Sequence, residues 1–207
     1  MEELSLPSAT SQDIEKYRNW WNNLSNEWKL AYNEVYVKES STEILPNDIL
    51  HNLWHSHVVR FAGPTAMHRN MSFELTDLSG ILDLKLLKIV VIIHQKITSL
   101  SGIEKLENIE SLFVFDNQIT DISNLSTLKN LRELYFQNNL VESLIPLEKL
   151  HELKTIYCTN NRISSLEGIT QEHSDKLLNF HCIPNELLRD KEIIAFEANV
   201  GVRCKKG

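Results

Sequence analysis

A pattern of apolar residues that returns every 22 residues constrains this chain more than any other feature of its sequence. In the unit counted from position 109, the pattern consists of Ile109, Leu112, Val114, Asn117, Ile119, Ile122, Leu125 and Leu128. Further units start near positions 87, 131, 153 and 177, and a half unit precedes them at Leu75, Leu78, Ile81 and Leu84. One unit is too small to bury its own apolar face, so the recurrence predicts a solenoid of stacked coils.

The spacing within the unit predicts the shape of each coil. The step from Leu112 to Val114 has the period of two that marks a short strand with one face turned inward. The next apolar residues recur every three positions, which suits a 3₁₀ turn or a short extended segment. Asn117 comes where the strand ends, and its side chain is expected to bond backbone groups of adjacent coils. No long amphipathic stretch separates the strands, so the spacing disfavours an ordinary α/β domain and predicts five strands in one parallel sheet on the concave side.

A solenoid exposes an apolar coil at each end, so both ends need a cap. Residues 1–9 are predicted to be a flexible N-terminus, and residues 10–62 a helical cap that contains all four tryptophans. Helical spacing predicts two helices separated near Leu24, with Ser25 as the N-cap of the second. A third helix is expected to begin just after Pro46.

The other end of the chain is predicted to be a smaller cap. The solenoid is expected to span residues 63–188 and the C-terminal cap residues 189–207. Within that cap, the stretch from Glu192 to Val202 predicts a short helix that ends near Gly201. Three apolar residues of this helix are expected to close the last coil, namely Ile193, Ile194 and Phe196.

The units follow L-x-x-L-x-L-x-x-N-x-L, and over about residues 75–188 they resemble the leucine-rich repeats of bacterial internalin-type proteins and of eukaryotic protein phosphatase-1 regulatory subunits. The stretch from Trp20 to Lys29 and the tail from Ile194 to Cys204 resemble the caps of small leucine-rich-repeat proteins of Bacteroidetes-type bacteria. The sequence departs from the repeat at Gln95, which replaces Asn, and in a two-residue insertion near Gln171–His173.

This resemblance implies both a fold and a role. The implied fold is α/β: a right-handed leucine-rich-repeat solenoid with a parallel concave β-sheet, an N-terminal helical cap and a short C-terminal cap helix. The implied role is that of an interaction scaffold, and the resemblance brings no catalytic residues with it.

The composition excludes several kinds of partner. A net charge of −7 predicts no binding to nucleic acid or to anionic lipid, because both need a basic surface. The opening stretch MEELSLPSATSQDIEK lacks the apolar core of a secretory signal, and the longest apolar run, Ile89–Ile93, is too short to span a bilayer. The three cysteines, an odd number, fit reduced thiols. We expect a cytoplasmic monomer with no membrane segment.

The outward-facing strand residues are the candidate partner-binding site, since solenoids of this kind bind on the concave face. The predicted site consists of Phe113, Phe115, Glu133, Tyr135, Gln137, Thr155, Tyr157 and His181. Its aromatic members are predicted to anchor the partner, and Asp116 and Arg162 to join Glu133 in a mixed-charge rim. The alternative is that the rings only stiffen the sheet or are covered by the N-terminal helices.

The residues of the first full strand indicate that part of the concave side of the sheet is covered. Ile89, Val91 and Ile93 face outward in the predicted register, yet all three are apolar. We therefore expect the N-terminal helical segment to fold onto or beside them, with an exposed apolar patch as the alternative.

Other residues that could carry chemistry give weaker patterns. His51 and His55 lie one helical turn apart, a spacing that can hold zinc, but no further ligand clearly completes the set and we favour histidines without metal. Cys158 and Cys182 share an inward position in neighbouring units and are interpreted as small buried side chains, with a disulfide as the alternative. No nucleophile, phosphate-binding or metalloprotease motif is present, so we predict no catalytic residue, no metal and no cofactor.

The sequence thus predicts a non-catalytic scaffold that binds a protein or peptide partner. The alternative function is a regulatory or inhibitory subunit of a partner enzyme, including an immunity or effector role, as the phosphatase-regulator resemblance implies. An enzyme that uses the histidine group is the third interpretation.

Overall fold

The computed structural model describes residues 8–207, so the predicted flexible N-terminus lies outside the described residues except for its last two positions. Seven strands form one sheet in chain order, and each pairs in parallel with the next. The strands are β1 (Val58–Ala62), β2 (Ile89–Ile93), β3 (Ser111–Phe113), β4 (Glu133–Tyr135), β5 (Thr155–Tyr157), β6 (Asn179–Ile183) and β7 (Cys204–Lys206). This parallel sheet of successive coils confirms the predicted α/β solenoid.

Two of these strands were not predicted. The sequence indicated five, β2 to β6, whereas β1 and β7 extend the sheet into both ranges that were assigned to caps. Val58 of β1 pairs with Ile89 of β2 over 31 residues, so β1 falls outside the 22-residue period. β7 follows the C-terminal helix and pairs with β6 across an irregular register between His181 and Ile183.

The repeat positions face the core, as the period requires. Leu112, Val114, Leu134 and Phe136 are all 0 % exposed, and each such side chain contributes about 2 kcal/mol by leaving water. On the side of the solenoid opposite the sheet, the apolar residues spaced by three lie in segments that contain 3₁₀ turns. These turns are Ser79–Ile81, Ile103–Lys105, Ser123–Thr127, Ile145–Leu147 and Gln171–His173.

The repeated asparagine links each coil to its neighbours. Asn139 Nδ2 donates to the carbonyl oxygens of Val114 and Phe136 at 3.0 Å each, and its Oδ1 accepts from the Ile119 N–H at 2.9 Å. Asn117, Asn161 and Asn185 bond the backbone in the same manner. Gln95 takes this role in the first unit, because its longer side chain reaches the Leu75 N–H at 2.6 Å and the Phe61 carbonyl at 3.3 Å.

Three helices close the N-terminal end of the core. They are α1 (Ser11–Asn23), α2 (Asn26–Tyr36) and α3 (Asn47–Trp54), close to the predicted positions. The Ser25 side chain accepts from the Trp28 N–H, which confirms the predicted cap of α2. Trp28 is fully buried, lies edge-on to Phe61 of β1 with ring centroids 5.1 Å apart, and donates from Nε1 to Asp77 at 2.9 Å. Among residues 8–207, no helix has both the length and the apolar character needed to cross a membrane.

The helices do not cover the outward side of β2, contrary to one expectation. Their aromatic residues pack against Phe61, which faces the core. The apolar end of β2 is covered instead by the segment of residues 63–71, hereafter the overhanging loop, whose Ala66 forms a small cluster with Ala62 and Ile93. Small side chains in a short loop carry no periodic pattern, so the sequence did not reveal this cover.

The C-terminal cap contains one helix, α4 (Asp190–Val200), which ends at Gly201 in the left-handed conformation with φ 80°. Phe196 is buried and packs against Phe180 of β6, with ring centroids 5.8 Å apart. Ile193 is partly buried against the same core, but Ile194 is 68 % exposed. The expectation that Ile194 closes the last coil is therefore wrong. Ile193, Phe196 and Val200 form the inward side of α4, and Ile194 is rotated by about 100° from Ile193 toward solvent.

The three cysteines are free thiols at the C-terminal end of the core. Cys158 and Cys182 are 0 % exposed, in agreement with their interpretation as buried side chains, and Cys204 is half-buried. Burial raises the pKa of the Cys158 thiol, and a hydrogen bond with Cys204 together with burial raises that of Cys182.

Thiol labelling tests this arrangement. Because the thiolate is the reactive form, a soluble alkylating reagent near pH 8 is expected to modify Cys204 alone in the folded protein, and all three cysteines in urea. Mass spectrometry of the labelled peptides gives the distribution. Rapid modification of Cys158 in the folded protein would contradict the buried placement.

Candidate functional site

The side of the sheet turned away from the core, hereafter the open face, is formed by alternate residues of all seven strands. Pairing in register places them in three columns that run across the strands. The middle column consists of Arg60, Val91, Phe113, Tyr135, Tyr157, His181 and Lys205. All eight residues of the predicted site lie on this face or continue its columns.

Four rings of the middle column stack on one another, hereafter the ring column: Phe113, Tyr135, Tyr157 and His181. Successive ring centroids are 4.6, 4.7 and 3.9 Å apart, with interplanar angles of 18°, 11° and 9°. The spacing follows from the strands, which lie about 4.8 Å apart in any parallel sheet. Because the faces of the rings cover one another, the column offers its ring edges and the two tyrosine hydroxyls to a partner.

Two members of the column that begins each strand, Ser111 and Thr155, are nearly buried, whereas Asn179 in the same column is exposed. Thr155 is only 8 % exposed and Ser111 only 9 %, so Thr155 lies on the open face but adds little surface to it. Glu133 accepts a hydrogen bond from the Ser111 hydroxyl at 2.7 Å. Burial, and then the Glu133 carboxylate, raise the pKa of Tyr135, so this hydroxyl remains a hydrogen-bond donor at neutral pH.

The third column is apolar at Ile93 and Phe115, polar at Gln137 and Thr159, and apolar again at Ile183. Phe115 packs against the small cluster of the overhanging loop, and its ring centroid lies 5.7 Å from that of His94. Gln137 follows Phe115, and its Oε1 is buried without a hydrogen-bond partner among the described residues. Met67, in the overhanging loop, is 92 % exposed.

A second line of side chains, which the sequence analysis missed, runs along one edge of the open face. Asn160 donates to Asn138 at 2.8 Å, Asn138 donates to Asp116 at 2.7 Å, and Asp116 lies 3.3 Å from His94 Nε2. Thr65 of the overhanging loop lies 3.1 Å from the other nitrogen of His94. We refer to these five residues as the edge ladder.

The backbone explains the residue types of the edge ladder. His94, Asp116, Asn138 and Asn160 have φ between 52° and 57°, in the left-handed region that Asn, Asp and His tolerate better than other side chains. The signal was present in the sequence, since a short polar residue precedes the repeated Asn or Gln in each of these units. Asp116 is thus part of a hydrogen-bonded row.

Basic residues gather at the β7 end of the open face. Lys205 Nζ donates to the Leu178 carbonyl at 2.7 Å and to Asn179 Oδ1 at 2.9 Å, and His181 Nδ1 lies 2.6 Å from the Lys206 carbonyl. No carboxylate of residues 8–207 lies within 4.0 Å of the charged groups of Arg203, Lys205 or Lys206. The same holds for Arg162 of the predicted rim.

The histidine group of the N-terminal cap is built into the helix packing. His51 is 8 % exposed, and its Nδ1 lies 3.1 Å from the Tyr17 hydroxyl, while His55 Nδ1 lies 2.9 Å from the His51 carbonyl. Within the described part of the chain, no three His, Cys, Asp or Glu residues are grouped so that they could hold a metal ion.

An open groove of about 970 Å³ lies away from the open face, between the turns of the later coils and α4. The insertion at Gln171–His173 forms one wall as a 3₁₀ turn, and Gln171 Nε2 donates to the Asn199 carbonyl at 2.8 Å. His173 is fully buried there, and burial lowers its pKa. Lysines, glutamates and His151 mix along the groove, with His151 paired to Glu172 at 3.1 Å, so no single kind of ligand is favoured.

Comparison with known proteins identifies the repeats. A family model described as leucine-rich repeats (2 copies) matches residues 107–149 and 129–171. No curated protein matches the chain. A leucine-rich-repeat protein of Leptospira interrogans has a similar structure, with a TM-score of 0.58 and 21 % identity, over 79 % of this chain and 40 % of that one.

Two internalins of Listeria monocytogenes also align. One, internalin F, has 28 % identity and a TM-score of 0.48 over 59 % of this chain, and this chain spans only 35 % of its length. The other, internalin C2, has 20 % identity and a TM-score of 0.44 over 86 % of this chain and 92 % of that one. The resemblances to phosphatase-1 regulatory subunits and to Bacteroidetes-type proteins stay predictions.

Proposed function

We propose that this chain, whose residues 107–171 match a model of leucine-rich repeats, binds a protein partner through its open face. Leucine-rich repeats generally serve protein interaction rather than catalysis. The binding site consists of the ring column together with Phe115, Glu133, Gln137 and the small exposed surface of Thr155. In this proposal the chain is a non-catalytic scaffold, and the partner supplies any chemistry.

One observation carries the proposal, namely the ring column in the middle of an uncovered sheet. The N-terminal helices pack on the core side, and the cluster under the overhanging loop extends only to β3, so Tyr135, Tyr157 and His181 stay half-exposed. Aromatic side chains held rigid by their neighbours lose little conformational entropy on binding, which makes them effective anchors. Packing that only stiffened the sheet would not need two hydroxyls at the solvent side.

The proposal extends to a monomer that acts in the cytoplasm. Three free cysteines, two of them buried in the core, fit a reducing compartment.

Site-specific photo-cross-linking tests which surface meets the partner. A photoreactive phenylalanine analogue at position 157 is expected to give one discrete cross-linked species in a lysate of the cells that make the protein. The matched control carries the same analogue in place of Ile145, an apolar residue that is 49 % exposed on a 3₁₀ turn away from the sheet. A discrete species from position 145, and none from position 157, would place the partner elsewhere.

Alanine substitution measures the anchor. Tyr157→Ala removes a ring that stacks on both neighbours, and we expect it to weaken binding of the cross-linked partner about thirtyfold, as for a central aromatic contact. Ile145→Ala is expected to leave the affinity unchanged. Surface plasmon resonance with the purified partner gives both values, and an affinity unaffected by Tyr157→Ala combined with Tyr135→Ala would rule out this site.

A further inference from the structure

From the asymmetry of the open face, we infer that the part of the partner bound there is an extended peptide segment with an apolar side chain at one end and acidic side chains at the other. The apolar end lies over β2 and β3, beside the overhanging loop, and the acidic end over β7. This inference rests on the proposed function, because it names the chemistry of the segment that the open face binds.

The β2–β3 end offers a contact for an apolar side chain. Val91, Phe113 and Phe115 are partly buried and pack against the cluster of Ala62, Ala66 and Ile93. Met67 follows Ala66 in the overhanging loop and is an adaptable apolar side chain that is almost fully exposed. An apolar side chain placed here removes existing apolar surface from water without leaving a polar group unpaired.

The β7 end offers a contact for carboxylates. Arg203, Lys205 and Lys206 lie within four residues, and their hydrogen bonds among the described residues are not to carboxylates. Among residues 8–207, Glu133 is the one acidic residue at an outward strand position of the open face, although the chain has a net charge of −7. A cationic site in an otherwise acidic protein selects a carboxylate by local complementarity and disfavours a basic segment there.

Arg60, a basic residue near the apolar end of the open face, does not reverse the difference in charge between the two ends. It continues the middle column beyond Val91, but its guanidinium donates to the His68 carbonyl within the overhanging loop. Arg60 keeps its charge, but it is a single cation that lies on β1, beyond the apolar contact at β2 and β3. At the other end, Lys205 lies next to His181, and Arg203 and Lys206 add to its charge.

The middle of the face suits a peptide backbone. The tyrosine hydroxyls of the ring column can donate to carbonyl oxygens of the peptide and accept from its N–H groups. Four strand spacings separate β3 from β7, a distance of about 19 Å. An extended chain covers that distance in about six residues, which sets the separation between the apolar and the acidic side chains.

Selection from a displayed library of random peptides of about twelve residues tests the inference without knowledge of the natural partner. The full chain is the target, and the Tyr135→Ala, Tyr157→Ala double variant is used to remove peptides that bind elsewhere. The expected consensus contains a large apolar residue and, about six positions away, two or more Asp or Glu residues. A consensus rich in Lys and Arg, or one without acidic residues, would overturn the inference.

Charge reversal then tests the acidic end directly. For a selected peptide, Lys205→Glu is expected to raise the dissociation constant about fivefold at low salt, and less at high salt. Lys149→Glu changes the net charge equally, but this residue lies beside the groove away from the open face, so it is expected to have no effect. Lys205→Gln, with a smaller expected change, repeats the test if the reversed variant has a lower melting temperature.

The outcomes separate this inference from the proposed function. If the selected peptides depend on Tyr157 but respond equally to Lys205→Glu and Lys149→Glu, the acidic end is wrong and the open face remains the site. If no selected peptide depends on Tyr157, the inference fails, and photo-cross-linking at position 157 decides the proposed function on its own.

Discussion

Asn139→Ala is expected to lower the free energy of unfolding by about 3 kcal/mol, because a buried polar group that loses its partner costs about 1–3 kcal/mol and two further groups each lose one of two donors. The substitution leaves the N–H of Ile119 without its side-chain acceptor. It also removes one of two amide donors from the carbonyl oxygens of Val114 and Phe136, which still accept from Asn117 and Asn161. Asn139 is only 5 % exposed, so water cannot easily replace it. Urea denaturation followed by circular dichroism gives the value.

Two further variants show whether the loss comes from these hydrogen bonds. Asn130→Ala is the control, because Asn130 is exposed and donates only to the Glu107 carbonyl, and we expect a change below about 1 kcal/mol. Asn139→Asp preserves the acceptor for Ile119 but turns a carboxylate oxygen toward carbonyl oxygens, so it is expected to destabilise the protein at least as much as alanine. Equal effects of the alanine variants at positions 130 and 139 would show that the linked hydrogen bonds contribute no more than an ordinary surface contact.

The repeated coils are the part of the fold that the sequence predicts well. Residues at the same position of adjacent units contact one another. The repeat period in the sequence therefore predicts which residues are neighbours in the folded protein. Leu112, Leu134 and Ile156 pair in register for this reason. The substitution at Gln95 was visible in the sequence as a departure, and the structure shows that the longer amide makes the same kind of backbone contacts.

Contacts outside the period could not be predicted in the same way. β1 pairs with β2 after a connection that contains the overhanging loop, and no repeated spacing marks it. The cover of Ile93 depends on Ala62 and Ala66, whose small side chains look unremarkable in the sequence. The orientation of α4 depends on Phe196, which packs against β6, and on Ile193 and Val200, which are partly buried against the same core. The predicted start of this helix differed from the observed one by two residues.

In the candidate site too, some features could be predicted from the sequence and others could not. Its residues follow from the alternation of the strands, so Phe113, Tyr135 and Tyr157 could be placed on one face from the sequence alone. Their stacking angles and the small exposed surface of Thr155 depend on how closely neighbouring side chains fill the column. The edge ladder was missed because its signal lies in backbone conformation, a run of residues with positive φ, and not in hydrophobicity.

Gly80→Ala is expected to destabilise the protein by about 3 kcal/mol, the upper range for overpacking a buried site. A Cβ added to Gly80 would lie 2.1 Å from Cδ2 of Trp28 and 2.3 Å from its Cε3. The φ of Gly80 is outside the left-handed region, so the cost is steric and not conformational. The indole cannot retreat, because Trp28 is 0 % exposed and is held by Phe61 and by its hydrogen bond to Asp77.

A double-mutant cycle isolates this contact. Trp28→Ala alone is expected to cost about 4 kcal/mol, since it opens a large cavity between α2 and β1. In that background the clash is gone, so adding Gly80→Ala is expected to change stability by less than about 0.5 kcal/mol, and the new methyl group fills part of the cavity. The coupling energy between the two positions is then about 3 kcal/mol, far above what distant sites show.

The cycle also tests how the N-terminal cap holds the solenoid. If α2 closes the first coil through Trp28, the cap and the coils unfold as one unit. The urea midpoint measured by tryptophan fluorescence should then equal the one measured by circular dichroism, and both single variants should lower the two midpoints by the same amount. Additive single effects would instead mean that Gly80 is not pressed against Trp28 in solution. A cap that unfolds well before the coils would mean that the first coil stands without it, and β1 would then depend on β2 and the overhanging loop alone.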